Sequence, residues 1–163
     1  MVSDRPSAFT FQLIPAFTPT LSVELSGGNL LVSSLDQHGA VISGTRFQAT
    51  PSADEWSCFW DAVEFLDVWS WKENYDLTGG RDGEAWKLHL EHENKSVTAK
   101  GWNGYPAFDS PSKVSGSEDR MGVFLFSLCK LLSPKTQPTS GVEVLQNVIQ
   151  LCRDDSRRTR RST

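Results

Sequence analysis

Hydrophobic and polar residues alternate along the first fifty positions in the pattern of half-buried β-strands. Phe9, Phe11 and Leu13, for example, alternate with Thr10 and Gln12. Successive side chains of a strand point to opposite faces, so this alternation indicates one buried face and one solvated face. Short turns join the segments, which favours antiparallel pairing. Four strands are predicted: Phe9–Pro15, Thr20–Ser26, Leu30–Leu35 and Ala40–Thr50.

The hydrophobic period changes to that of a helix after Pro51. Ser52 and Glu55 have the spacing of a capping box, in which two side chains satisfy free amides at a helix start. The pattern predicts a helix from Ala53 to about Asp67. Its apolar face would consist of Trp56, Phe59, Trp60, Val63 and Leu66.

The second half of the chain predicts a second meander and two closing helices. Its strands are Val68–Tyr75, Glu84–His92 and Ser96–Trp102, and a loop rich in Pro, Ser and Gly follows from Asn103 to Gly116. Ser117 is placed to cap the first closing helix, and Ser140–Glu143 forms a second capping box before the last one.

The order of these elements predicts an α+β fold. We expect an antiparallel β-meander sheet of about six to seven strands, packed on one face by about three helices. Residues 1–152 are predicted to form a single α+β domain. Residues 153–163 contain no apolar side chain and are predicted to be a disordered Arg-rich tail.

Charge separates the tail from the domain. The tail carries five Arg and two Asp, whereas residues 1–152 carry 11 basic and 18 acidic residues, a net charge of −7. An acidic body argues against nucleic-acid binding and suits a basic protein partner. We interpret the tail as a solubilising segment.

Apolar runs are too short for a membrane helix, which needs roughly 18 residues. The first residues also lack a basic segment followed by an apolar one, so no secretory signal and no membrane association are predicted. Cys58, Cys129 and Cys152 fall on predicted helix faces, which indicates core thiols rather than disulfides or metal ligands. Together these features predict a soluble cytoplasmic protein.

The segment Gly83–Pro106 holds two of the three histidines and is the natural place to look for catalysis. On a regular strand His89 and His92 point to opposite faces, so the pair cannot chelate one metal ion. The sequence has no HExxH, Gly-x-Ser-x-Gly or phosphate-binding glycine motif. We therefore predict no catalytic residues, no metal site and no cofactor.

The end of this segment offers one surface-site candidate. Trp102 shares the polar side of its strand with Thr98 and Lys100, and it begins the sequence WNGYP. Trp102, Asn103 and Tyr105 are the best candidates in this sequence for binding a ligand or a partner, although the pattern favours a structural role for them. The structural alternative is that Trp102 covers the sheet edge and Tyr105 belongs to a rigid turn. The aromatic residues predicted for the core are Trp56, Trp60, Trp69 and Trp71.

The same segment resembles a pattern in small uncharacterised bacterial α+β domains. In those domains a strand after Asp-Gly carries a Trp, and a Gly-x-Asn-x-Tyr-Pro segment precedes a closing helix. The resemblance covers about a third of the chain, and it implies a fold without implying an activity. The matching residues are Asp82, Gly83, Trp86, Gly101, Asn103, Tyr105 and Pro106.

Three functions follow as hypotheses. The first is a non-enzymatic interaction protein, of an accessory or immunity type, that uses an acidic surface. The second is a small-molecule-binding domain with its site near Trp102–Tyr105. The third is a hydrolase, which would need His89 beside a carboxylate in a cleft.

Overall fold

The computed structural model describes residues 4–77, 83–106 and 120–133. These residues form seven strands and two α-helices, and a short 3-10 turn at Val68–Ser70 follows the first helix. In chain order the elements are β1 (Ala8–Ile14), β2 (Thr20–Ser26), β3 (Asn29–Leu35), β4 (Phe47–Ala49), α1 (Ala53–Phe65), β5 (Asn74–Asp76), β6 (Ala85–His92), β7 (Lys95–Trp102) and α2 (Arg120–Leu132).

All seven strands belong to one sheet, in the order β4-β3-β2-β1-β6-β7-β5. Its centre is the antiparallel pair of β1 and β6, in which Phe11 lies opposite Leu88. This pair joins the two predicted meanders edge to edge. The remaining pairs are also antiparallel except for β5, which runs parallel to β7. The predicted α+β class with a mainly antiparallel sheet is thus confirmed, whereas β5 does not continue a meander.

One face of the sheet packs against both helices. Phe9 meets Phe59 of α1 with ring centroids 6.0 Å apart, and Phe11 meets Phe124 of α2 at 5.6 Å. All four rings are buried, and burial of each such ring stabilises the fold by about 2 kcal/mol. The alternating side chains point to the opposite side of the sheet, which we call the open face. Leu13, Val23, Leu88 and Ala99 are further buried members of the helix-covered face.

Helix α1 begins as its sequence predicts. The Ser52 hydroxyl accepts a hydrogen bond from the Glu55 amide at 3.3 Å, and the Glu55 carboxylate accepts one from the Ser52 amide at 2.7 Å. The helix ends at Phe65, two residues earlier than expected. Four members of its predicted apolar face are buried and Trp60 is half-buried.

The prediction of a strand over Val68–Tyr75 was wrong. Asp67 adopts a left-handed conformation, with φ of 51°, and starts the 3-10 turn. The Ser70 hydroxyl donates to the Asp67 carbonyl at 2.9 Å and also to its carboxylate. These local bonds hold the backbone away from the sheet, so that only Asn74–Asp76 pairs with β7.

The predicted strand Ala40–Thr50 was too long, because only Phe47–Ala49 forms a strand beside β3. The preceding residues turn instead. The Thr45 hydroxyl donates to the Ile42 carbonyl at 2.7 Å, and the Thr45 amide donates to the same oxygen at 3.2 Å.

Two α-helices are present in the described residues, fewer than the three that were predicted. The third predicted helix, the tail 153–163 and Cys152 lie outside the described residues. Cys129 is buried in α2 as expected, and burial raises the pKa of its thiol to about 11. Cys58 is exposed on α1, so its assignment to the core was wrong. In the described part of the chain, no helix is long and apolar enough to cross a membrane.

Candidate functional site

The hairpin of β6 and β7 carries candidate sites at its two ends. Ala85 lies opposite Trp102 at one end, and His92 lies opposite Lys95 at the other. As predicted, the two histidines diverge: His89 is on the open face, and His92 is on the face covered by helices. We describe the Trp102 end first.

Asn103 and Tyr105 are tied to a single residue, Glu84. The Asn103 amide donates to the Glu84 carbonyl at 2.9 Å, and the Glu84 amide donates to the Asn103 side-chain oxygen at 3.0 Å. The Tyr105 hydroxyl donates to the Glu84 carboxylate at 2.6 Å. We call this group the Glu84 clasp. It holds the chain in a left-handed turn at Asn103, where φ is 55° and asparagine is well tolerated.

Beneath the clasp, Trp86 holds Gly104, the residue that follows Asn103. Trp86 is fully buried, and its indole N–H donates to the Gly104 carbonyl at 2.8 Å. A Cβ at Gly104 would collide with the carbonyl oxygen of Tyr75, so the site requires glycine. Trp86 and the Gly-x-Asn-x-Tyr segment from Gly101 to Tyr105 therefore close this end of the sheet.

Trp102 differs from its two neighbours because it presents a surface. It lies on the open face with Lys100, as predicted, and 41% of it is exposed. The edge of its indole is covered by Gly83, where a Cβ would collide with the indole nitrogen. Of the three predicted binding residues, Asn103 and Tyr105 are half-buried in the clasp and Trp102 faces outward. Ligand or partner binding by these residues stays a prediction.

His89 lies beside a carboxylate on the open face. Its Nε2 is 3.3 Å from a Glu91 carboxylate oxygen, and its Nδ1 is 2.9 Å from the Thr98 hydroxyl. The side chains of His89 and Glu91 are 39% and 43% exposed, so the group is solvated rather than enclosed. Water screens such pairs and weakens them as acid–base machinery. His89 and Thr98 lie opposite each other on β6 and β7, so their contact is a cross-strand pair of the kind that stabilises sheets.

The His92 end contains a stack of aromatic rings that joins three elements. His92 of β6 stacks on Trp60 of α1 with centroids 4.0 Å apart and planes at 13°. Trp69 of the 3-10 turn lies parallel to Trp60 at 6.3 Å, and all three rings are half-buried. We call these three residues the aromatic ladder. Trp56, which is buried, stacks on Trp60 at 5.8 Å and anchors the ladder to the core.

Glu64 is bound to the edge of the ladder. Its carboxylate accepts hydrogen bonds from the Lys95 ammonium and from the Trp69 indole, both at 2.7 Å. The hydrogen bond from Lys95 is the main cause that lowers the pKa of Glu64, and the Trp69 bond adds to it. Desolvation by burial raises the pKa by less than these two bonds lower it, and the nearby charges of Lys95 and His92 lower it by still smaller amounts. The Lys95 ammonium also lies 5.5 Å from the centre of the Trp69 ring.

Several acidic residues that adjoin the ladder residues in the sequence are exposed. Asp61 follows Trp60 along α1, and Glu93 follows His92 in the hairpin turn. Arg5 is near, but its guanidinium points towards Gly28, where a Cβ would lie 2.9 Å from Nη1. Five exposed acidic residues in this region outnumber two cations, Arg5 and Lys95, which leaves a net charge of −3. We call five exposed residues the acidic rim: Asp4, Asp61, Glu64, Asp67 and Glu93.

The sequence pattern predicts Trp60 and Trp69 as core residues and so does not reveal this site. One signal was available. His92 continues the apolar face of Trp86, Leu88 and Leu90, so it had to meet something on the helix side. No cluster of three or more His, Cys, Asp or Glu side chains suited to a metal ion occurs among the residues that the structure describes. Comparison of the chain with protein-family models, curated proteins and solved structures finds no match.

Proposed function

We propose that this chain is a non-enzymatic interaction protein, of the accessory or immunity type, which holds a basic protein partner on the aromatic ladder and the acidic rim. The observation that supports this proposal is the half-buried stack of Trp60, Trp69 and His92, which the exposed acidic residues Asp61 and Glu93 adjoin in the sequence. Aromatic residues near the centre of a charged surface are typical of residues that dominate binding energy.

The chemistry of the site suits cationic side chains. The Lys95 ammonium, 5.5 Å from the centre of the Trp69 ring, already makes a contact of this kind, and such a cation–aromatic contact is worth about 0.5–1 kcal/mol at an exposed site. A guanidinium can at the same time form two hydrogen bonds with one carboxylate. Asp61 and Glu93, which are exposed and follow Trp60 and His92 in the sequence, are the candidates for that second contact.

Long-range charge favours the same class of partner. The described residues include thirteen Asp and Glu but only eight Lys and Arg. A negative surface attracts a basic protein before contact and raises the association rate, and salt weakens this effect.

A charge-reversal variant tests the proposal. The protein would be isolated gently from its own cells, and its complexes would be weighed by native mass spectrometry. The wild type should carry a basic protein in a fixed ratio, and Asp61→Lys/Glu93→Lys should lose it. The matched control is Lys87→Glu/Lys100→Glu, which changes charge on the open face and should keep this partner.

The kinetics of the purified complex give a second test. The rim variant should lower the association rate by about tenfold at low salt, and added salt should reduce the difference. A partner that is retained by the rim variant, or whose binding does not depend on salt, would contradict the proposal.

A small-molecule site remains the alternative function. It would centre on Trp102, because the polar groups of Asn103 and Tyr105 are engaged by Glu84. Titration of the protein with candidate ligands, followed through the fluorescence of Trp102 against a Trp102→Phe control, would test it.

A further inference from the structure

We propose that the open face beside Trp102 is a second docking surface, and that its occupant is an acidic, apolar polypeptide segment of a partner protein. This surface lies on the opposite side of the sheet from the aromatic ladder. It does not depend on the function proposed above.

The open face carries one row of mainly apolar side chains across five strands. The strand pairings place Leu35 opposite Thr20, Ile14 opposite Ala85, and Ala85 opposite Trp102. Leu35, Thr20, Ile14 and Ala85 are half-buried, and Trp102 is exposed. The neighbouring row is polar at every position, as expected for a solvated face: Ser33, Ser22, Gln12, Lys87, Lys100 and Asn74.

Exposed apolar residues concentrate around the same end of the sheet. Among the described residues, six large hydrophobic side chains are exposed, and four of them lie here. Phe17 is 84% exposed in the loop between β1 and β2, and Leu77 is 59% exposed just after β5. Val41 bridges Leu35 and is 47% exposed, and Trp102 is the fourth. These four side chains are spread along the end of the sheet that carries the apolar row.

Two lysines beside the row determine the charge of the occupant. Lys87 of β6 lies directly opposite Lys100 of β7 on the open face. Like charges in this position destabilise a sheet. In the part of the chain that the structure describes, neither ammonium has an ion pair or a hydrogen bond. A carboxylate placed between them would relieve the repulsion.

The dimensions of the row favour a polypeptide. Five adjacent strands span four inter-strand spacings, or about 19 Å, at roughly 4.8 Å each. That length is matched by an extended peptide of about six residues. Small molecules bind in concave sites that enclose them, whereas none of the helices and strands that the structure describes covers this face of the sheet. A long nucleic acid carries far more negative charge than a short acidic segment, so the net negative charge of the protein repels it more strongly.

Selection of peptides from a displayed random library provides the test. Peptides of about twelve residues would be selected on the wild-type protein and then measured on three variants. Lys87→Glu/Lys100→Glu reverses the charge of the open face but keeps a like-charge pair, so its effect on folding should cancel. Trp102→Ala removes the exposed ring, and Asp61→Lys/Glu93→Lys alters only the acidic rim. Circular dichroism and thermal melts would verify that all three fold.

We expect a class of selected peptides that combines carboxylates with aliphatic or aromatic residues. These peptides should bind about tenfold more weakly, or worse, to the lysine variant and to Trp102→Ala, and normally to the rim variant. The inference is overturned if no selected peptide depends on Lys87, Lys100 and Trp102. Basic peptides that depend on the rim alone would support the proposed function while rejecting this second surface.

Two further outcomes would assign the surface to another occupant. A single-stranded oligonucleotide that binds the wild type, but not the lysine variant, would overturn the inference in favour of a nucleic acid. Self-association in sedimentation experiments that Trp102→Ala abolishes would identify a second copy of the chain instead.

Discussion

The two ends of the β6–β7 hairpin use tryptophan in different ways. At the Trp102 end, Trp86 is buried and bonds the main chain at Gly104, while Trp102 itself stands on the open face. At the His92 end, Trp60 and Trp69 are half-buried and stack with a histidine. At the first end, one tryptophan supports the fold and another faces the solvent. At the second end, the same rings support the fold and contribute to the surface.

This difference affects how each site can be studied. A substitution at Trp102 should alter recognition with little effect on folding. A substitution in the aromatic ladder changes folding and recognition together, so the surrounding carboxylates are the better probes there. The following predictions test this comparison.

The largest effect is expected for Trp86→Ala. Truncation of a fully buried aromatic residue costs about 4 kcal/mol, and this one also leaves the Gly104 carbonyl without its indole donor. Trp60→Ala should cost about half as much, because part of its ring is already in solvent. Trp102→Ala should cost less than about 1 kcal/mol. Urea unfolding measures all three, and a cost at Trp102 equal to that at Trp86 would remove the distinction between structure and surface.

Gly104→Ala should destabilise the protein by about 2–3 kcal/mol, because its Cβ meets the carbonyl of Tyr75 and the backbone must move. Gly122→Ala is the matched control. Gly122 lies within α2 with open space around its Cβ position, so alanine should stabilise the helix there by about 1 kcal/mol. Thermal unfolding should therefore show shifts of opposite sign, and equal shifts would contradict the close approach at Gly104.

Tyr105→Phe removes a single hydrogen bond from the Glu84 clasp. We expect the free energy of unfolding to fall by about 1 kcal/mol. The variant loses the 2.6 Å hydrogen bond to the Glu84 carboxylate, and water can take the place of the tyrosine hydroxyl beside that carboxylate. Glu84→Gln keeps an acceptor for the tyrosine and should cost less. If Tyr105→Phe leaves stability unchanged in urea unfolding, the clasp does not hold this end of the sheet.

The smallest effect concerns Glu64 and pH. The Lys95 and Trp69 bonds lower the pKa of Glu64 below its ordinary value of 4.5 in the folded protein. Its contribution to stability is therefore complete above that value, and it is lost as the pH falls through the lowered pKa. Melting temperatures across this range should show wild type and Glu64→Gln converging in acid. Lys95→Met should reproduce the loss at neutral pH, and a constant gap down to acid pH would contradict the assignment.

Local patterns were sufficient to predict most elements of the fold. Period-two alternation located β1, β2, β3, β6 and β7, and the Ser52–Glu55 capping box fixed the start of α1, because each signal depends on residues that are neighbours in sequence. Val68–Tyr75 misled the prediction because Trp69, Trp71 and Tyr75 imitate alternation. A left-handed residue, Asp67, redirected the chain instead.

The sites were harder to predict because they depend on contacts between distant segments. The exposure of Trp102 followed from its place on the same face of its strand as the polar side chains of Thr98 and Lys100. The bonds of Asn103 and Tyr105 to Glu84 join residues about twenty positions apart, and no local pattern indicates them. The aromatic ladder was missed because stacking of Trp60 on His92 requires knowledge of which strand α1 crosses.

The central pairing of β1 with β6 has a consequence for the synthesis of the chain. β1 leaves the ribosome about 70 residues before the strand that completes its outer edge, a delay on the order of 4–14 s at ordinary elongation rates. During that time the nascent first half presents an unpaired strand edge next to Phe9, Phe11 and Leu13. Such edges recruit other strands, so the protein should depend on chaperones during translation more than its small size suggests.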